Sequence, residues 1–229
     1  MHTQSTPDAM MKAVFPAFDG LGMSLPERRA VPRNGIGAKR ALDMVVATLA
    51  ILLLLPVLVV VACAVAADSK GPVIFAQRRT GLGGKTFAIF KFRSMRVTED
   101  GAEVKQAVEN DARITRVGRI IRKLSLDELP QLFNVLAGDM SLVGPRPHAV
   151  AHDDYYGARI ANYGLRFKVK PGITGWAQVH GARGATPTLD IMQARIDLDC
   201  WYVEHSNFLL DLKILLRTPL EVVRHRNAI

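Results

Sequence analysis

Residues 44–67 run without a single charge, which sets them apart from the rest of the chain. Two dozen residues at about 1.5 Å each are enough to cross a hydrocarbon layer of about 30 Å. Pro56 interrupts the run near its middle and is expected to bend or break a helix there. Cations lie on both sides: Arg28, Arg29, Arg33, Lys39 and Arg40 before it, Lys70, Arg78 and Arg79 after it. Because Lys and Arg prefer the cytoplasmic side, both flanks are expected on one face, and a helix bent at Pro56 that enters and leaves by that face satisfies them. A straight spanning helix is the simpler reading of length alone.

After the apolar run the period changes. Residues 72–79 and 86–93 alternate as strands around a glycine-rich turn at 80–85, predicting a β-hairpin. Its glycines do not open a helix and lack a Gly-Lys-Ser/Thr ending, so they do not make a phosphate loop. Lys91, Arg93 and Arg96 fall at the hairpin exit, as phosphate or headgroup contacts or as a solvated basic edge. Thr98 to Glu109 is charged and reads as a surface loop or short helix. Arg113, Arg116, Arg119, Arg122 and Lys123 then recur at helical spacing, with Ile114, Val117, Ile120 and Ile121 between them, which predicts a basic amphipathic helix. Ser125 and Glu128 have capping-box spacing and Pro130 suits a first turn, so a helix is expected to begin close to Asp127, its N-terminal field keeping that acid ionised. The last periodic stretch, Phe208 to Val223 with Lys213, Arg217 and Arg224 nearby, reads as a helix lying on a surface, too often charged to span. Residues 1–38 mix Pro, Gly, Ser and charge without periodicity and read as a flexible tail, and the apolar run starts too late for a secretory signal.

The net charge of +9 calls for an anionic partner: lipid headgroups, a nucleotide diphosphate or nucleic acid. Two cysteines, Cys63 and Cys200, support neither a disulfide framework nor a zinc site. Chemistry concentrates at Asp127-Glu128. Acidic residues at such positions commonly only cap a helix. Here a basic run precedes them and a rigid Gly138–Pro147 loop presenting Arg146 between two prolines follows. Adjacent helix positions point about 100° apart, so the two carboxylates cannot share one role. One could attack a phosphoryl group while the other holds a metal, since phosphoryl transfer needs a nucleophile and charge neutralisation. Arg146 offers phosphate a bidentate fork or caps its own loop. Asp139, after Gly138, reads as a turn residue. Gly172, Gly175, Gly181 and Gly184 suggest close approach to a ligand. Trp176 is either an interfacial anchor or a stacking partner for uracil.

Ser-Leu-Asp-Glu-Leu-Pro-Gln-Leu at 125–132, Gly-Asp-Met-Ser-Leu-Val-Gly-Pro-Arg-Pro at 138–147 and Lys-Pro-Gly-Ile-Thr-Gly-Trp-Ala-Gln at 170–178 resemble the bacterial sugar transferases, the monotopic polyprenyl-phosphate phosphoglycosyl transferases. The resemblance covers about Lys39 to the C-terminus. It implies an α+β, mainly helical monotopic membrane protein, with a tail (1–38) and a transferase domain (39–229) made of a Pro-broken re-entrant helix at 41–68 and a catalytic part at 71–229. The implied reaction moves a sugar-1-phosphate from a UDP-sugar to undecaprenyl phosphate through a phosphosugar on Asp127, releasing UMP at the start of exopolysaccharide, capsule or O-antigen assembly. Glu128 and Asp199 would hold Mg2+, and Arg122, Arg146, Lys91, Arg183 and Trp176 would contact substrate. Lys39, Arg40 and Pro56 would set the membrane segment. Membrane lipids are implied partners, nucleic acid is not, and homo-oligomers are left open. The place is the bacterial inner membrane, with the site facing the cytoplasm. The segments around Ala149–His152 and Arg183–Thr186 look closer to members using UDP-glucose or UDP-galactose. The rival is a non-catalytic basic membrane adaptor, which explains charge and apolarity but not the paired acids.

Overall fold

The computed structural model describes residues 36–96, 111–184 and 186–223. The tail before Ile36, the 98–109 segment and Arg224 lie outside them. The apolar run forms one helix, α1 (Ile36–Asp68), that continues through Pro56 and begins five residues before the expected boundary. Proline in a helix interior removes one hydrogen bond and crowds the carbonyl four residues earlier. Much of α1 faces outward: Leu53 is 80% exposed and Val60 67%. Leucine and valine so bare are unusual on a water-facing helix and ordinary in lipid.

The hairpin follows as β1 (Ile74–Thr80) and β2 (Thr86–Phe92), paired antiparallel with Ala76 opposite Phe90. Ile89 and Phe92, three positions apart and so on opposite faces of β2, are both buried. Helix α2 (Arg116–Lys123) is capped by Thr115, whose hydroxyl accepts from the Gly118 amide at 2.9 Å. It starts later than the basic spacing suggested, so Arg113 stands outside it and bonds Asp111.

The helix expected at Asp127 begins at Gln131 instead. Residues Leu126–Glu128 form a single 3-10 turn, and Pro130 precedes α3 (Gln131–Ala137). Ser125 forms no capping bond because its backbone is left-handed at φ 59°, the sole non-glycine with positive φ among the described residues. That conformation costs energy for a residue with a Cβ and is met where the surroundings impose it.

Two three-residue strands, β3 (Ser141–Val143) and β4 (Gly172–Thr174), pair in parallel. Here the motif glycines approach backbone rather than a ligand. A Cβ on Gly172 would sit 2.1 Å from the Gly144 amide nitrogen, and one on Gly175 2.2 Å from the Gly144 carbonyl oxygen. The remaining elements are α4 (Val150–Gly157), a 3-10 segment at Tyr163–Lys168, the short α5 (Trp176–Val179), the largely buried α6 (Leu189–His205) and α7 (Phe208–Val223). The α7 boundaries match those read from the sequence. Its Leu209, Leu216 and Leu220 face outward while Ile214 is buried.

Two of the three buried clusters among the described residues include α1. Ala47 belongs to one buried cluster with Ile89, Leu132, Val135, Leu142, Trp176, Leu198, Tyr202 and Ile214, and further along α1 Leu58, Val61 and Val65 share a second with Phe92 and Ile121. Polar pins hold both ends of α1 on the same body. Lys39 donates to Asp211 at 2.6 Å and to the Val143 carbonyl at 3.0 Å, Arg40 to the Val135 and Leu136 carbonyls, and Asp43 accepts from the Leu142 amide at 2.9 Å. At the other end Arg93 donates to the Val65, Ser69 and Pro72 carbonyls, and Asp68 accepts from the Val117 amide. Lys39, Arg40 and Arg93 therefore point inward and cap protein carbonyls; Arg93 is 4% exposed and leaves no fork for a phosphate.

Candidate active site

The turn at Leu126–Glu128 sets the site. Its tight winding, imposed by left-handed Ser125 before it and Pro130 after it, turns Asp127 inward to 6% exposure. Glu128 points to a different set of partners, as adjacent positions must. Arg146 grips Glu128 with both guanidinium nitrogens, Nη1 to Oε2 at 2.9 Å and Nη2 to Oε1, and Lys91 Nζ donates to Oε1 at 3.0 Å. The fork expected of Arg146 is thus realised, on a carboxylate. Asn134 aligns the hairpin that delivers Lys91: its side-chain oxygen accepts from the Phe90 amide at 2.9 Å and its nitrogen donates to the Ala88 carbonyl at 2.7 Å.

The electrostatics divide the two acids. Burial first, and the neighbouring Glu128 charge second, push the Asp127 carboxyl up to about 6, against the pull of Lys91, Arg122 and Arg146. The capping field expected to keep it ionised is overridden by desolvation. Burial also works against the charged form of Glu128, but Arg146 and Lys91 outweigh it and hold that carboxyl well below the usual range. The Glu128 charge raises Arg146 in turn, while burial lowers Lys91. One acid is therefore a fixed anion and the other sits poised near neutrality, a division common where two carboxylates do different work.

Arg183 reaches the turn from the far side of the chain, donating to Ser125 Oγ. Arg122 is close enough to act on Asp127, and its buried Nε has no partner. The structure thus gathers Asp127, Glu128, Arg122, Arg146, Lys91 and Arg183. It does not bring Trp176 to them: that ring is 1% exposed and stacked 4.5 Å from Trp201, so neither of its expected surface roles is open to it. Asp199 is buried against Arg166 at 3.0 Å.

Magnesium binds through one or two carboxylates plus substrate phosphates, and dedicated protein cages are not needed. Among the described residues no group of three His, Cys, Asp or Glu side chains converges. Asp127 and Glu128 fit an ion arriving on a diphosphate, although Glu128 would share its oxygens with Arg146 and Lys91. Asp199, held by Arg166, does not join them.

Two features escaped the sequence reading. Gln131, one turn beyond Asp127, is 1% exposed with both amide atoms unpartnered. Its polar side chain amid an apolar helix was the available signal. The second is Arg166, 3% exposed, which donates to Asp199, to the Tyr163 hydroxyl at 3.1 Å and to the Arg146 carbonyl. It fixes the backbone from which Arg146 reaches Glu128. Nothing in the irregular stretch around it marked it out.

The sequence profile of the family described as "Bacterial sugar transferase" matches residues 34–225. The UDP-glucose:undecaprenyl-phosphate glucose-1-phosphate transferase of Caulobacter vibrioides is 53% identical over 83% of this chain and 71% of its own length. The protein of that name from Escherichia coli is 52% identical over 82% of this chain, which spans 41% of that longer protein. An exopolysaccharide production protein of Rhizobium leguminosarum is 44% identical over 79% of this chain and 92% of its own length.

Proposed function

The chain belongs to the bacterial sugar transferase family, and from that premise we propose that it transfers a sugar-1-phosphate from a UDP-sugar to a polyprenyl phosphate at a membrane surface. Glucose is the favoured sugar and undecaprenyl phosphate the favoured acceptor, because relatives above 50% identity carry those words in their names. The observation that carries the chemistry is the pairing of a buried Asp127, held up near 6, with a Glu128 locked to Arg146 and Lys91.

In this reading an Asp127 carboxylate oxygen attacks the β-phosphorus of the donor. The bond from that phosphorus to the bridging oxygen breaks, UMP departs with the oxygen, and the phosphosugar remains on Asp127 as an acyl phosphate. An oxygen of the polyprenyl phosphate then attacks the same phosphorus, Asp127 leaves as carboxylate, and the product is a polyprenyl-diphosphate sugar. Arg122, Arg146, Lys91 and Arg183 offset the charge on the transferring group. Magnesium, when bound, would neutralise diphosphate charge, with Glu128 as its protein anchor. The α1 helix, with both ends on one body, supports re-entry from the cytoplasmic face of the inner membrane. A bilayer-held acceptor and a water-borne donor can meet there.

The test is to incubate purified protein with UDP-glucose and magnesium and to weigh it intact. A mass increase of one hexose phosphate on the peptide carrying Asp127, with UMP released and both lost in Asp127→Asn, is expected. Normal turnover by Asp127→Asn removes the nucleophile assigned here, and no turnover with any UDP-sugar favours a basic membrane adaptor.

A further inference from the structure

A cleft of about 310 Å³ runs between the 3-10 turn and the membrane helix. That is the lower end of the size of small-molecule sites. One end is polar, bounded by Ser125, Glu128 and Arg183; the rest is walled chiefly by Ala50, Leu54, Leu129, Ile173 and Val179, with Thr218 and Glu221 of α7 alongside. Part of the polar chemistry along that wall is already spent. The Thr174 and Thr218 hydroxyls bond each other at 2.8 Å, and the Gln178 amide nitrogen donates to the Ile173 carbonyl at 3.0 Å. A nucleoside or a free sugar buried here would leave hydroxyls without partners, at a cost that hydrocarbon does not incur.

We infer that this cleft holds the first isoprenoid units of the acceptor, delivering its phosphate to Asp127 from the membrane side. The inference rests on the transferase reading and adds where the lipid sits. Three placements converge on it. The cleft begins on α1, where Leu54 lines it and the neighbouring Leu53 is 80% exposed to the lipid side. It ends beside Glu128, the neighbour of Asp127, at Arg183, the cation on its lining, which suits the phosphate head of such a lipid. Its volume accommodates only the start of a long polyprenyl chain, so the remainder would stay in the bilayer beside α1. Recognition would accordingly depend on the units next to the phosphate rather than on total chain length.

The test uses the full-length enzyme in lipid nanodiscs with undecaprenyl phosphate. Ala50→Phe places a ring in the cleft without touching the acids. The KM for undecaprenyl phosphate is expected to rise at least tenfold, while the rate of phosphosugar formation on Asp127 from UDP-glucose stays within twofold. An unchanged acceptor KM, or a raised donor KM instead, overturns the assignment. Because a ring at Ala50 could disturb packing, the wild-type enzyme is also photolysed with a polyprenyl phosphate bearing a diazirine on its first isoprene. Crosslinks at Leu54, Leu129 or Ile173 support the cleft, and crosslinks confined to Leu53 and Val60 overturn it. Absence of any phosphosugar adduct in the wild type would instead remove the transferase reading itself.

Discussion

Replacing Asp127 by Asn should abolish transfer and yet stabilise the protein at neutral pH. Burial and the Glu128 charge raise the carboxyl from 3.8 to about 6. At about 1.4 kcal/mol for each pH unit, that rise makes the ionised aspartate cost the fold about 3 kcal/mol. The penalty is present in full above pH 6, where both folded and unfolded chains carry the charge. It shrinks as pH falls from 6 toward 3.8, because the folded chain takes up the proton first. Asparagine keeps the shape and drops the charge, so at pH 7.5 it should recover much of that cost. For a chain of this size 1 kcal/mol is about 2–4 °C in melting temperature, giving a rise of several degrees and at most about 12 °C. At pH 4.5 the difference should fall to about 1 kcal/mol. Thermal unfolding of both proteins in one detergent at the two pH values measures it. A lower melting temperature for Asp127→Asn at pH 7.5, or a gap independent of pH, would refute the assigned electrostatics.

The remaining predictions concern the same turn and the helix above it. Single-turnover UMP release should climb about tenfold between pH 5 and pH 7, as Asp127 loses its proton through about 6; a rate flat to pH 4.5 would contradict the poised acid. Arg146→Lys keeps the charge but loses the two-pronged grip on Glu128, so the rate of phosphosugar formation should drop at least about tenfold; an unaltered rate would mean that the fork is not needed. Cysteines introduced at Gly37 and Lys70, with Cys63→Ser, should both react from the cytoplasmic side of inner-membrane vesicles, since both ends of α1 are tied to one body. Labelling from opposite sides would establish a straight span.

Local rules sufficed where one pattern dominated. The hairpin follows from two β-rich runs around a glycine-rich turn and α7 from helical spacing over a segment that buries one face, and Asp127-Glu128 stood out as paired acids beside cations. Ser125 shows where those rules stop. A Ser-x-x-Glu spacing describes a helix start, but here Arg183 claims the serine hydroxyl from 58 residues away and the backbone turns left-handed. The field reasoning for Asp127 failed similarly, because burial depends on packing by segments far along the chain. Lys39 was expected to set the membrane segment, and Arg93, at the hairpin exit, to meet phosphate or headgroups or to form a solvated basic edge. The carbonyls they cap belong to elements that only the fold brings near. Trp176 sat in a motif and was read as functional, whereas its partner Trp201 lies 25 positions later and makes it a core ring.

The pins at the two ends of α1 bear on how this enzyme can be handled. A version starting after Asp68 would keep Asp211 without Lys39, the Leu142 amide without Asp43, and Arg93 without the Val65 carbonyl. Groups stripped of buried partners cost several times what an exposed pair gains. The lipid-embedded segment is therefore no detachable tether, and trimming it to obtain a water-soluble catalyst should yield aggregate instead.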